Sequence, residues 1–590
     1  MLPVSLRSAV VPLTLTALLS ATRAAARSAE DAVQVWHVAQ TEIPGIPGEV
    51  RFRTIGEAAA RAEAGDTVLI HGGVYRERVV VEAGGEAGKP ITFAAAPGAH
   101  VVVTGADEIT DWERAAADRH VYRTPWPHAF ITWSERGAHP DDDYHIVVGR
   151  AEQVFIDGYP LHQVLSRNQM SRGSFFVDLE AQRLYVWGYH DEALDERPRR
   201  VRVEASSRPV IWEVGADHVH LKGLRFRYAA NHAQQGAVQF RGDHIVVEDC
   251  VFERANAAGA SFRGSDIVVR NCTFQDNGQL GFGASRAHRL LITGCLVRNN
   301  NTRGWDRGWE AGGNKICLSR GVVIENSTFI ENRGSGIWFD IGNEDCVVRN
   351  CLIADNEDAG IFYEISYGLH AHDNVIMGNG FAEAYGSWGV ACGISLSSSP
   401  GCVIERNLIV GNKEGLSFRE QLRTTPLIDR RGEEPVWNRD HVMRNNVIAY
   451  NRDAQVWGWF DVGDQRHWPA AKQEAATLRP AGEGHPAGLT LETLNLRFAD
   501  NVYYAAPGQG FVNWGVTWDA MHRRYASLDE VRHELGLDQG GVVAEPGFAS
   551  IGARDLRVPA GSVLLRMGCY PRGEVPGVRL GVRSSPGKEG

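Results

Sequence analysis

Two carboxylates in this 590-residue chain recur at matched positions. Asp340 ends the run Gly336-Ile337-Trp338-Phe339-Asp340, and Glu364 ends Gly360-Ile361-Phe362-Tyr363-Glu364. Each lies eight residues past an asparagine, Asn332 and Asn356. Strand alternation puts Trp338 with Asp340, and Phe362 with Glu364, on one face, and turns Ile337, Phe339, Ile361 and Tyr363 to the other. If the runs stack as neighbouring strands, the carboxyls lie about one strand spacing apart, ~5 Å. A retaining glycosidase needs its carboxyl pair at ~5–5.5 Å, whereas an inverting one needs more room for water. Two negative charges that close also push their pKa values apart, which supplies one acid and one nucleophile. Two solvated surface acids would give the same spacing without the chemistry.

The flanking segments favour chemistry. Insertions at residues 302–314 and 380–391 precede the equivalent strand positions and would wall a cleft on one side. They carry Trp305, Arg307, Trp309, Glu310, Tyr385 and Trp388. Aromatic rings stack on sugar faces, and Arg and Glu bind hydroxyls. Lys315 falls about one coil before Asp340 and Arg419 two coils after Glu364. A cation there favours an ionised Asp340, and the aromatic setting of Glu364 (Phe362, Tyr363, Tyr367) favours its protonated form. Asp340 is therefore assigned as nucleophile and Glu364 as acid/base. Trp338, Trp305, Trp309, Glu310, Arg307, Lys315, Tyr367 and Arg419 are expected to bind substrate.

A repeat positions these residues. IVVRNCTFQDN ends at Asn277, LLITGCLVRNN at Asn300, VVIENSTFIEN at Asn332 and CVVRNCLIADN at Asn356. LHAHDNVIMGN, CVIERNLIVGN and HVMRNNVIAYN end at Asn379, Asn412 and Asn451. Successive intervals are 23, 32, 24, 23, 33 and 39 residues. Short β-branched strands separated by Gly/Asn corners at this period describe coils of a parallel β-helix; the leucine-rich consensus is missing. A second column runs through Cys250, Cys272, Cys295, Ser327, Cys351, Asn374, Asn407 and Asn446. Cysteine there serves as a small buried filler, with free thiols expected. Nine cysteines could not all pair within one chain in any case.

The expected fold is thus all-β, a right-handed parallel β-helix with an N-terminal capping helix and a β-rich insertion. Residues 1–29 read as a secretory signal: Arg7, an apolar stretch, then Ala24-Ala25-Ala26. Residues 30–105 form the cap and first coils, the helix falling within residues 52–81. Residues 106–205 break the period and read as a β-rich subdomain. Residues 206–460 form the coil core with the site, and 461–590 irregular final coils with a short helix near 525–537. The chain is expected to be secreted or periplasmic. No later segment reaches the ~20 apolar residues of a membrane span. A net charge of −11 argues against a nucleic-acid partner. The expected partner is an oligosaccharide or polysaccharide; homo-oligomerisation stays open. No cofactor is implied, although Asp141-Asp142-Asp143 could hold Ca²⁺ if not merely solvated. His370 and His372 lack a third metal ligand.

Residues 73–112, beginning GVYRERVVVEAGG and continuing through AAAPG to Trp112, resemble the opening of many secreted β-helix enzymes acting on polysaccharides. The segments Trp309-Glu310-Ala311-Gly312, Gly336-Ile337-Trp338-Phe339-Asp340 and Phe362-Tyr363-Glu364 resemble glycoside hydrolase family 120, the β-xylosidase family. That resemblance covers residues 52 to about 380. It implies Asp340 as nucleophile, Glu364 as acid/base and Glu310 with its neighbours in substrate binding. The family often continues the Asp coil as DWM; here it is Asp340-Ile341-Gly342-Asn343, so the sugar preference is open. A polysaccharide lyase or uronate epimerase is the chief rival, with Lys315, Arg303, Arg307 and Arg419 as candidate groups. An acidic cleft fits it less well. A non-catalytic glycan-binding β-helix is the third reading.

Overall fold

The computed structural model describes residues 33–115, 120–130, 149–198, 200–382, 389–421, 423–460, 494–515 and 523–569. The expected signal segment, Asp141 to Asp143, Tyr385 and Trp388 lie outside the described residues. Three long parallel sheets, one of 14 strands and two of 13, wind into a β-helix, because each coil's strands hydrogen-bond to the same strands of the next coil. Ile, Val and Phe point inward from all three sheets into one continuous core. Phenylalanines stack between coils there, with Phe252 and Phe274 centroids 4.8 Å apart. The coils run past residue 460: strands Arg497–Ala499, Val502–Tyr504, Val512–Gly515 and Val542–Val543 join the same three sheets.

The asparagine column is an internal ladder. Each side-chain amide donates to the next coil's Asn carbonyl oxygen, from Asn277 to Asn300 (3.0 Å) through Asn412 to Asn451 (3.1 Å). Asn356 shows the full pattern. Its Oδ1 accepts from the Asn332 backbone N–H and side-chain amide, and its Nδ2 donates to Phe329 O and Asn379 Oδ1. Every polar group of a wholly buried amide is thereby satisfied. Such close stacking leaves no room for a side chain alongside: a Cβ on Gly336 would fall 2.7 Å from Asn356 Nδ2. Cys250, Cys272, Cys295 and Cys351 are buried in the core column and all nine thiols are free.

Helix α1 (Ile55–Ala59) is only five residues long, opened by Thr54 and Glu57 in a reciprocal capping box. Its Ile55, Ala58 and Ala59 pack into the core beside the first strands. Helix α2 (Leu528–Leu535) starts at Ser527 and stops at Gly536, whose φ of 66° suits glycine. Between the coils of Val101–Thr104 and Leu224–Arg227, which pair directly, the chain makes two small, mostly antiparallel sheets. These enclose their own core of Trp112, Trp126, Phe175 and Leu184.

The strands that matter for function belong to one 13-stranded sheet. In order they are β1 (Gly236–Arg241), β2 (Ala258–Ser265), β3 (Leu280–His288), β4 (Gly312–Cys317), β5 (Ile337–Phe339), β6 (Ile361–Glu364), β7 (Cys392–Ser397) and β8 (Glu414–Glu420). A hairpin, β9 (Arg423–Pro426) with β10 (Glu433–Val436), follows β8 and accounts for the longest of the asparagine intervals.

Candidate active site

Register fixes two outward columns on this sheet. Strand β5 pairs with β6 as Ile337↔Ile361, Trp338↔Phe362 and Phe339↔Tyr363, so Asp340 and Glu364 are the next matched positions. Ile337, Phe339, Ile361 and Tyr363 lie in the helix core, and Trp338 and Phe362 pack outside it, their rings stacked 5.2 Å apart. Since Ile316 pairs with Phe339, Cys317 precedes Asp340 in its column, and Lys315 precedes Trp338 in the other. Beyond Glu364 the column continues through Ser397 to Arg419.

The backbone turns sharply just past each carboxylate. Ile341 has φ 57° and Ile365 φ 38°, a left-handed region that β-branched residues avoid at a cost of about 1–2 kcal/mol. A third polar ladder holds these turns. The Ser319 N–H donates to Asn343 Oδ1, the Asn343 N–H to Ser366 Oγ, and the Ser366 N–H to Ser399 Oγ. Asn343 Nδ2 also donates to Asp340 O (2.9 Å), and Ser366 Oγ to Glu364 O (2.8 Å). Both carboxylates thus stand at strand ends whose main chain is pinned from within.

Asp340 and Glu364 are each 7% exposed. Lys315 Nζ lies 2.9 Å from Asp340 Oδ2 and 3.2 Å from Glu310 Oε1, and 4.1 Å from the Trp338 ring centroid. Burial pulls the Lys315 pKa down, but Asp340 and Glu310 together outweigh it, so the ammonium stays charged. Asp340 Oδ1 is buried without a hydrogen-bond partner. Burial, and next the charge of Asp340, raise the Glu364 pKa above the ordinary carboxyl range, against the opposing pull of Arg419, Arg423 and Lys315. Arg423, on the hairpin, reaches Glu364 Oε1 at 3.2 Å. Burial pushes the Cys317 thiol up to about 12, so it sits beside Asp340 as a neutral group.

The structure therefore gathers Glu310, Lys315, Trp338, Asp340, Glu364 and Arg419, and adds Arg423 and Cys317, which sequence reasoning missed. Glu310 is held by a 3₁₀ turn, Arg307–Trp309, whose Asp306 cap accepts from Gly308 N. Four expected residues are placed elsewhere. Trp305 is 2% exposed, packed against Ala233, Ala311 and Trp309, with Asn301 Oδ1 accepting its backbone N–H; it builds the loop and offers no face to a sugar. Trp309 is half-buried against it, the ring centroids 5.7 Å apart. Arg307 pairs with Glu357 (3.3 Å) and Asp358 (3.4 Å) at the turn leading into β6. Tyr367 lies under the hairpin, its hydroxyl 3.5 Å from Thr425 O. The cleft is also not acidic as expected: Lys315, Arg419 and Arg423 balance Glu310, Asp340 and Glu364. Among the described residues no group of three or more His, Cys, Asp or Glu is arranged for a metal ion.

Comparison with known proteins places this geometry on a familiar scaffold. The family described as "Right handed beta helix region" matches residues 235–409. A stretch of 57 residues is 44% identical to the uncharacterized protein YwoF of Bacillus subtilis (strain 168), covering 10% of this chain and only 12% of that protein. Among solved structures, XylC in complex with xylose superposes with a TM-score of 0.64 at 17% identity, over 88% of this chain and 87% of that one. A glycoside hydrolase aligns with a TM-score of 0.45 at 12% identity, over 86% and 99% of the two chains. At such identities the shared feature is the fold, and this chain has the right-handed parallel β-helix fold that XylC also has.

Proposed function

We propose that this protein is an exported, retaining glycoside hydrolase in which Asp340 attacks the anomeric carbon and Glu364 serves as acid/base. The observation that carries this reading is the in-register carboxyl pair, whose two members sit in opposite environments. Strand spacing sets the two residues ~4.8 Å apart, within reach of the separation that double displacement needs. Lys315 engages Asp340 Oδ2 and leaves Oδ1 without a partner, the oxygen suited to attack. Glu364, its pKa raised, holds a proton for the departing oxygen. Once Asp340 becomes an ester its charge is gone and the second cause of that rise disappears, so Glu364, having given its proton to the leaving oxygen, stays ionised and can take one from the incoming water. Trp338, buried behind the pair, holds Lys315 over its ring, and Glu310 offers a hydroxyl partner. The shared fold with XylC and the motif resemblance to the β-xylosidase family make a β-xyloside the first substrate to try. We further take the N-terminal residues as an export signal and α1 as the cover of the open end of the coils.

The three cations around the pair give the lyase or epimerase reading its one specific support, since those reactions neutralise a uronate carboxylate. The two readings part on products: a lyase yields unsaturated, ultraviolet-absorbing uronates.

The test is steady-state hydrolysis of aryl glycosides. Asp340→Asn lowers kcat by roughly four orders of magnitude or more. Glu364→Gln lowers it by about 10²–10⁴ for poor leaving groups and far less for activated ones. Activity needs Glu364 protonated, so it falls as pH rises through that raised pKa, and Glu364→Gln loses this alkaline limb. Two variants with near wild-type activity would sink the proposal.

A further inference from the structure

The outward columns continue on the Asp340 side. Arg241 pairs in register with Arg263 on β1 and β2; across a register shift at Arg263, the column toward the site resumes with Ser285 and then Cys317. A cavity of about 450 Å³ joins them, lined among others by Arg241, Arg263, Ser285, Glu310 and Lys315. Its lining reaches Lys315 and Cys317 on β4, the strand next to the one that ends at Asp340. Counting strands, Arg263 stands ~14 Å from Asp340.

Two features of this groove call for a ligand. First, Arg241 and Arg263 are exposed, side by side on adjacent strands, and neither has an ion-pair partner among the described residues. Like charges directly opposite each other repel and destabilise a sheet. Arg241 is merely oriented by neutral Gln239, whose Oε1 accepts from it at 2.6 Å. Asp243, just past the end of β1, and Asp217, one coil earlier, turn an oxygen to backbone N–H groups instead. Second, Arg241 and Arg263 set two cations at this end of the groove in a chain of net charge −11, whereas Lys315 at the other end is already paired with Asp340 and Glu310. Glutamines 234, 235 and 239 complete a wall of hydroxyl-binding amides.

We propose that this groove binds an anionic stretch of the glycan, with Arg241 and Arg263 gripping a carboxylate or sulfate several coils from the bond that is cut. The inference rests on the hydrolase reading for its place beside a cleavage site, and it narrows the substrate from glycans in general to charged ones. Guanidinium forks suit such anions because they bind two oxygens at once.

Calorimetric titration of full-length Asp340→Asn tests this, using a uronate-substituted xylo-oligosaccharide, its neutral counterpart of equal length, and a sulfated one. The charged ligands bind roughly tenfold tighter than the neutral one at low salt. Added salt shrinks the difference, and Arg241→Gln/Arg263→Gln removes it; whichever anion binds better identifies the group. Equal binding of neutral and charged ligands, or a preference surviving the double substitution, overturns the inference. Undiminished hydrolysis by Asp340→Asn would instead overturn the hydrolase reading and leave the binding result standing.

Discussion

The interior amide ladder and the outward column of Cys317, Asp340, Glu364, Ser397 and Arg419 are built by the same coils with the same stacking, yet they obey opposite rules. Inside, one residue type repeats from Asn277 to Asn451, and at Asn356 each hydrogen-bonding group has its partner. Outside, no two successive residues are alike, three ionisable types meet, and the buried Asp340 Oδ1 has no partner. Repetition marks what every coil needs in order to stack. Departure from repetition marks what one place needs in order to react. The backbone, by contrast, repeats: left-handed φ recurs just past successive strands at Leu318, Ile341, Ile365 and Ser398, and the Ser/Asn ladder beneath holds these turns.

The largest break in the comparison after the catalytic substitutions comes from Lys315→Met. It leaves Asp340 and Glu310 facing each other without their cation. Removing one member of a buried ion pair costs about 3–5 kcal/mol, so urea unfolding should shift by that amount. Asp340→Asn in the same chain should recover much of the loss, since the uncompensated charge is then gone. Equal stability of Lys315→Met and wild type would mean that the Lys315–Asp340 contact is not structural.

A smaller effect sharpens the interior side. Asn356→Ala strands the Asn332 amide and the Phe329 carbonyl in a dry core, at about 1–3 kcal/mol for each unsatisfied group. Stability should fall by a few kcal/mol while kcat per folded molecule stays within about twofold, because the ladder supports every coil and touches no reacting atom. A large loss of kcat at full folding would show that ladder and site are coupled.

Much of this could be read from the chain alone where the physics is periodic. The Asn and Cys columns and the matched GI-aromatic-aromatic-acid runs are signals of spacing. They led to the stacked coils of a parallel β-helix and to the juxtaposed carboxyls. What escaped was carried by insertions or by mixed residue types. Arg423 lies 59 residues from Glu364 on a hairpin with no counterpart in other coils among the described residues. The loop before β4 obscured the register, so Lys315 was read beneath Asp340, whereas Cys317 holds that position and Lys315 reaches across diagonally. The third ladder mixes Ser and Asn, as Ser319, Asn343, Ser366 and Ser399, at uneven intervals, and so shows no uniform repeat. Trp305 looked like a sugar platform because composition cannot tell a buried ring from an exposed one.

The central claim is that Asp340, and no other carboxylate in the cleft, forms a covalent bond to the sugar. Incubating the wild-type protein with the 2-deoxy-2-fluoro analogue of a glycoside it cleaves, followed by peptide mass spectrometry, tests this directly. The account predicts one glycosyl mass on the peptide containing Asp340, located at that residue by fragmentation. A label on Glu364 or Glu310, or no label while turnover yields product of inverted configuration, would contradict it.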